Sequence, residues 1–491
     1  MVNRLPCFFL LFFAVHLATA ANILSAYHSP EDAAEMEYVR ARLRELNRRA
    51  LDGQEPERTS PNENSGFDRS KSVSIPDINE AVSEYMFQGD IMLTRQQVDH
   101  FLSRHKRQAL DFGRFPQYRW NRSEPIPYYL VGIRKALSSS SHPYRSVLAP
   151  AVEHLVHASF QFWEAHTCLS FASNHRGPEH KIQVTFVDDP HGPCSSRIGR
   201  DVANDDPRGP FGSKQNLFLG QNCLHFGIIT HEIGHALGFW HEHSRVDRDG
   251  YLRVFPDNAI EDQRHNFNLQ PSNNNLNVPF DYVAFTRVPG QLRTMEPLPG
   301  NENHLNTLGQ RIGPSFLDLL MMNTLYGCAD ACPNRKHCHY GGFQNPRNCE
   351  ICVCPSGFAG HDCGNRDRGS NNGRPCGEDL YAKNDWRNLE FTVGAAGFRK
   401  SLHDHCHWRI ISRDPKRKVE IRVDRIDGGN REDGCFMNNV EFKMFEDVTK
   451  TGYRMCATQH ATGHLTSEMD RAVISAYARE ILSFRISFKL A

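Results

Sequence analysis

The chain carries no net charge: 57 Lys and Arg balance 57 Asp and Glu across 491 residues. That balance implies no nucleic-acid or anionic-membrane partner. Long apolar runs are also scarce. Beyond residue 20 no stretch is long and apolar enough to span a bilayer, so no membrane span is expected. Glycosylation signals reduce to one, Asn121-Arg122-Ser123, usable only in an oxidising secretory compartment and equally able to stay unoccupied. A chain this long exceeds one hydrophobic core and divides into about three or four domains.

What is present starts at the N-terminus. Arg4, an apolar run from Leu5 to Leu17, and Ala18-Thr19-Ala20 have the layout of a signal peptide, residues 1–20, cut near Ala20. Of the 15 cysteines, Cys7 leaves with that leader, and the even remainder suits disulfides made in an oxidising compartment. The expected location is therefore extracellular.

Residues 231–241 read HEIGHALGFWH, which is HExxHxxGxxH. Residues four apart share one face of a helix, so His231 and His235 aim two imidazoles at a single point. Gly238 can adopt the left-handed conformation that ends a helix, after which the chain turns back and presents His241. Three neutral imidazoles at about 2.0–2.1 Å, with one position left open for water, are what a catalytic zinc ion needs. Glu232 lies about 100° round the helix from His231, where a carboxylate reaches that water without displacing it. Most histidines in a chain with 26 of them are surface or satisfied core residues. Here glycine and third histidine are both in register, and Phe226, Ile229, Ile233 and Leu237 form an apolar helical run before the turn.

The continuation, GFWHEHSRVDRDGY, resembles the astacin branch of the metzincin zinc endopeptidases. So do WNRSEPIPYYL at 120–130, FQFWEAHTCLSF at 160–171, CSSRIGR at 194–200 and LGQRIGPSFLDLLMMNTLYGC at 308–328. The resemblance implies a two-lobed α+β domain over 108–328, one Zn2+ held by His231, His235 and His241, and Glu232 as general base. Helical spacing of Val147, Ala151, Leu155 and Phe162, with alternation over Ile182–Val187, fits a sheet backed by helices.

Ahead of that domain, Ser29-Pro30-Glu31-Asp32 is a good helix start, and Met36, Val39, Leu43 and Leu46 follow as a narrow apolar stripe to about Leu51. A polar linker over 53–76 comes next. By resemblance 21–107 is a propeptide in which Phe87-Gln88-Gly89-Asp90 crosses the cleft, with Asp90 as the zymogen zinc ligand. Arg104-His105-Lys106-Arg107 then serves a furin-like convertase cutting between Arg107 and Gln108. The new N-terminus, at Gln108 or trimmed to Ala109, pairs with Glu242, the residue after the third histidine; cyclisation of Gln108 would remove its charge.

The resemblance also implies the pairs Cys168–Cys328 and Cys194–Cys223. Cysteines 332, 338, 349, 352, 354 and 363 resemble an EGF-like module over 329–364, which implies Cys332–Cys349, Cys338–Cys352 and Cys354–Cys363; a zinc ribbon is the rival reading. Residues 365–375 read as a polar hinge. Beyond it Cys376, Cys406, Cys435 and Cys456, with strand-like runs at Val419–Val423, Val440–Phe445 and Leu482–Phe488, resemble a CUB β-sandwich over 376–491. Calcium is not expected, because Phe436, Met437, Asn438 and Asn439 stand where calcium-binding members carry a Tyr-Asp pair.

One part of the family pattern is absent. Astacins carry a methionine-containing turn and a tyrosine soon after an FDY-like segment, but FDYVAFTRVPGQLRTMEP from Phe280 has no Met-His-Tyr after Tyr282. Either Thr286, Arg287 and Val288 occupy those positions or the turn is missing, and Met295 lies too far along to replace it. Loss of an oxyanion-directed donor costs about 3 kcal/mol in a comparable protease.

Two functions follow. The first is a secreted zinc endopeptidase, made latent, acting on extracellular, matrix or cuticle proteins. The second is an impaired scaffold that binds through its EGF-like and CUB modules.

Overall fold

A seven-stranded mixed sheet organises the central region of the molecule. The structure, a computed structural model, describes residues 30–51, 75–102, 116–134, 144–146, 149–173, 179–189, 192–201, 213–259, 261–269, 275–283, 293–397, 399–429, 433–460 and 463–491. The sheet contains β1 (Ile91–Met92), β2 (Ile126–Arg134), β3 (Tyr144–Ser146), β4 (Phe171–Ser173), β5 (Lys181–Val187), β6 (Cys194–Arg197) and β7 (Lys214–Gly220). Its order is β1-β6-β7-β5-β2-β3, with β4 beside β2. Strands β7, β5 and β2 run parallel, and β6 runs antiparallel to β7. Parallel strands are buried on both faces, and β5 accordingly buries Ile182, Val184, Thr185 and Val187.

The helices are α1 (Pro30–Leu51), α2 (Ile75–Ile78), α3 (Arg95–Leu102), α4 (Pro150–His166), α5 (Phe226–Ala236) and α6 (Phe316–Tyr326). Helix α4 buries Val152, Leu155, Val156, Phe160 and Trp163, whereas Ala151 is exposed and Phe162 only half-buried. The apolar stripe is thus rotated from the expected one; Val147 lies outside the described residues. The cause is the contact with α5: Trp163 packs in and its Nε1 donates to Thr230 O at 3.1 Å. Phe160 stacks on Tyr128 of β2, with ring centroids 3.9 Å apart.

Met36, Val39 and Leu43 of α1 are buried, in two clusters that include Met86, Met92, Phe87, Ile91 and Val98. The N-terminal region therefore has no separate core and completes its own against the central domain, where Phe218 of β7 and Ile198 join it. Strand β1 extends the central sheet by pairing parallel to β6, Ile91 with Ser196 and Met92 with Arg197.

Sulfur bonds join Cys168 to Cys328, Cys194 to Cys223, Cys332 to Cys349, Cys338 to Cys352, Cys354 to Cys363, Cys376 to Cys406 and Cys435 to Cys456. The first closes a separation of 160 residues, worth about 5 kcal/mol on the chain-entropy account. The six cysteines from 332 to 363 staple two short ribbons, Phe343–Gln344 with Cys352–Val353 and Phe358–Ala359 with Asn365–Arg366. This module sits on the end of α4, where Arg347 Nε donates to Glu164 O and Thr167 O at 3.1 Å.

The C-terminal region is a sandwich of a five-stranded and a four-stranded sheet around Trp408, Ile421, Val440, Phe442, Ile474, Phe484 and Phe488. Residues 365–375 are not a free hinge: Asn365 and Arg366 belong to a ribbon, and Ser370 bridges to His405 in the sandwich. Among the described residues no helix is long and apolar enough to cross a membrane.

Candidate metal centre

Helix α5 carries His231 and His235 one turn apart, and the turn behind it brings round His241. Gly238 has φ of 110°, which a residue with a Cβ adopts only under strain, and its N–H donates to His235 O at 2.8 Å. Phe239 N then donates to Gly234 O at 3.0 Å and closes the turn. Nε2 of His231 lies 3.0 Å from Nε2 of His235 and 3.2 Å from Nε2 of His241.

The fourth member comes from the N-terminal region. Gln88 and Gly89 both have left-handed backbone, φ 55° and 94°, and the tight turn they make is closed by paired bonds between Phe87 and Ile91. It projects Asp90, fully buried, between the imidazoles: Asp90 Oδ2 is 3.2 Å from Nε2 of both His231 and His241, and Oδ1 is 3.6 Å from Nε2 of His235. Burial opposes the charge of Asp90, yet His241 and the imidazole contacts outweigh it and hold the carboxyl well below its usual range. Burial drives His231 and His241 the other way, towards neutral rings.

These directions test whether a metal fits. His235 Nδ1 is 2.6 Å from Phe239 O, which can only accept, so the proton sits on Nδ1 and Nε2 presents a lone pair. His241 Nδ1 is likewise 3.0 Å from Gln88 Oε1. A proton on His231 Nε2 could serve one of the contacts converging there, not all of them. A tetrahedron with arms of about 2.0–2.1 Å has edges of about 3.3–3.4 Å, close to the spacings seen, so the donor set fits a zinc ion.

Glu232 is completely buried, and among the described residues neither of its carboxylate oxygens has a hydrogen-bond partner. Burial, followed by the neighbouring Asp90 charge, raises its pKa well above the ordinary range, while Arg311 pulls the other way. Arg311 faces Asp90 as well, and burial lowers it to about 10. Glu242 Oε1 accepts from Arg245 Nη1 at 2.9 Å and from Asp281 N at 3.1 Å. Burial, partly offset by Arg245, raises Glu242 to about 8. In this state Glu242 has an internal cationic partner in Arg245, which nothing in the sequence motif foretold.

Asn121 is exposed, its Oδ1 accepting from Ser123 N at 3.1 Å. Met295 is buried in a short two-stranded ribbon opposite Val254, and Tyr282 stacks on His304 with centroids 4.0 Å apart. Arg107, Gln108, Thr286, Arg287 and Val288 lie outside the described residues. Sequence reasoning missed Gln88, Arg311 and Asn79. Gln88 stands inside the segment singled out for Asp90; nothing local marks the other two.

A fold with three histidines on one helix and its return turn, opposed by a buried glutamate, defines the metzincin class of metallopeptidase site. The family model for astacin, a peptidase family, matches residues 116–327. The chain is 32% identical over 429 residues to zinc metalloproteinase nas-23 of Caenorhabditis elegans, covering 84% of this chain and 73% of that protein. It is 29% identical over 450 residues to zinc metalloproteinase nas-36 of Haemonchus contortus, covering 85% of this chain and 65% of that one. Among solved structures it is similar to high choriolytic enzyme 1, a hatching enzyme zinc-protease from the medaka Oryzias latipes, at 27% identity, with 43% of this chain and 95% of that chain covered and a TM-score of 0.33. The chain belongs to the astacin family, whose members are zinc-dependent metallopeptidases.

Proposed function

We propose that the chain is a secreted zinc endopeptidase, synthesised as a latent precursor, that cleaves extracellular or matrix proteins. The observation that carries this reading is Asp90, buried among His231, His235 and His241 from a segment preceding the central domain. Zinc, when bound, acidifies water towards a pKa of about 7 and polarises the scissile carbonyl. His231, His235 and His241 would hold the ion, and Phe239 O orients the His235 ring through Nδ1. Glu232, with both oxygens free of hydrogen bonds among the described residues, takes a proton from the attacking water and returns it to the leaving amine.

In the precursor Asp90 would take the place left for water, since a carboxylate oxygen is a competent zinc ligand. A signal peptide over 1–20 directs secretion, and a furin-like protease cuts the 21–107 propeptide between Arg107 and Gln108. The 108–328 domain then carries the chemistry. The new ammonium group joins Glu242, beside Arg245. EGF-like (329–364) and CUB (376–491) modules, with 365–375 between them, position the enzyme on its substrate. The disulfide-stapled ribbons and the two-sheet sandwich support those module names. Cuticle or other matrix protein is the substrate class.

A second reading, a feeble peptidase kept as an extracellular binding scaffold, is favoured by the missing Met-His-Tyr after Tyr282. The two are separated by comparing processed protein with its Glu232→Gln form on a denatured matrix substrate. Cleavage by the first and none by the second is expected; equal background cleavage selects the scaffold.

A further inference from the structure

Outside the histidine cluster of α5, a second set of metal-type ligands converges at the junction of the disulfide-rich module and the sandwich. His405 and His407 lie two apart on the strand Asp404–Ile411, so both rings project from the same face. Cys406 between them points inward and is bonded to Cys376, which pins the strand. Asp367 arrives from the connecting segment. One ligand atom from each of Asp367, His405 and His407 lies within 4.8 Å of the others.

The state of His407 points to a ligand. Its ring is 2% exposed; Nδ1 is 2.8 Å from Ser475 Oγ, while Nε2 has no hydrogen-bond partner among the described residues and lies 3.6 Å from Asp367 Oδ2. With the proton on Nδ1, a buried lone pair faces a carboxylate, which is repulsive until a cation lies between them. With the proton on Nε2, a buried N–H falls short of hydrogen-bond range. Either tautomer leaves the group unmet.

Asp367 is also prepared. Its Oδ1 accepts from Gly369 N at 2.8 Å, which turns Oδ2 towards His407. Its neighbour Arg366 is spent on the carbonyls of Asp367, Cys376 and His407. The segment is held against the strand by two backbone bonds, Ser370 N to His405 O at 2.7 Å and His405 N to Ser370 O at 3.0 Å. Gly369 allows that approach, since a Cβ there would stand 2.3 Å from His405 O.

We infer that Asp367, His405 and His407 form a structural site for a divalent transition-metal ion of the zinc type, which staples the connecting segment to the sandwich. Two imidazoles and one carboxylate favour such an ion over calcium or magnesium, which take oxygen ligands. Solvent completes the coordination on the open side of Asp367, which is 36% exposed at its side chain.

The test is metal content, a readout independent of peptidase activity. Full-length secreted precursor, stripped and dialysed against zinc-buffered solution, is assayed by plasma mass spectrometry beside the double variant Asp367→Asn/His405→Gln. Both positions are partly exposed, so folding is expected to survive, and circular dichroism checks it. The expected counts are two zinc ions per wild-type chain and one per variant. A variant count that does not fall by one from the wild-type count overturns the inference.

Discussion

Asn79 closes both backbone groups of Cys194: its Nδ2 donates to Cys194 O at 2.6 Å, and its Oδ1 accepts from Cys194 N at 2.8 Å. The same Nδ2 donates to Gly89 O at 2.8 Å, in the turn that aims Asp90. One fully buried amide thus joins the N-terminal segment to β6 and to the metal centre.

Asn79→Ala leaves buried backbone groups unpaired, at a cost of about 3 kcal/mol. The uncleaved precursor should open about a hundredfold more often. Hydrolysis of a short fluorogenic peptide by precursor whose cleavage site is blocked measures this, and unchanged latency would count against the clamp.

Asp90→Ala removes the carboxylate that converges on His231, His235 and His241. A small hydroxamate, which binds zinc, should then bind the intact chain, whereas the wild-type chain is expected to exclude it. Calorimetric titration of both forms decides the matter.

The sandwich docks on the central domain through a buried carboxylate: Asp281 accepts from Thr451 Oγ1 at 2.8 Å and from Thr451 N at 3.1 Å. Thr451→Val keeps the shape and deletes the hydroxyl. A loss of about 2 kcal/mol is expected, read as earlier thermal unfolding and faster tryptic cleavage between the two units.

His304 lies in the same seam, stacked on Tyr282, and burial holds its imidazole down to about 3. A depressed folded pKa means that the unfolded chain binds more protons below the ordinary value of 6.5, so stability is full above 6.5 and falls as the pH drops towards 3. Between pH 6.5 and pH 5 this one residue should cost about 2 kcal/mol. His304→Phe should shrink the acid-induced fall in Tm, and an identical fall in the variant would remove His304 from the account.

Much of the site is legible in the sequence because its spacing is short and helical. His231, Glu232 and His235 stand within one turn and a half, and Gly238 is a local signal for the reversal that delivers His241. Asp90 is reached by resemblance, since nothing in the 141-residue separation links it to His231. Asn79 and Arg311 carry no local pattern; their roles exist only where distant backbone and charge meet. The stripe of α4 differs from its expected position because apolar spacing alone does not say which rim of a face a Trp will occupy. Residues 365–375 look like a hinge because polar, glycine-containing segments read alike whether free or bonded to a neighbour.

The ligand chemistry on α5, the cysteine inventory and the apolar alternation of the sandwich strands are already written in the order of residues, because each depends on periodicity within a few positions. The folded chain was needed to bring Asp90 to three imidazoles, to give Glu242 a partner in Arg245, and to set Asp367 against His405 and His407. Those contacts depend on how separate segments fold back on one another, and charges taken out of water select partners by proximity in space rather than along the chain.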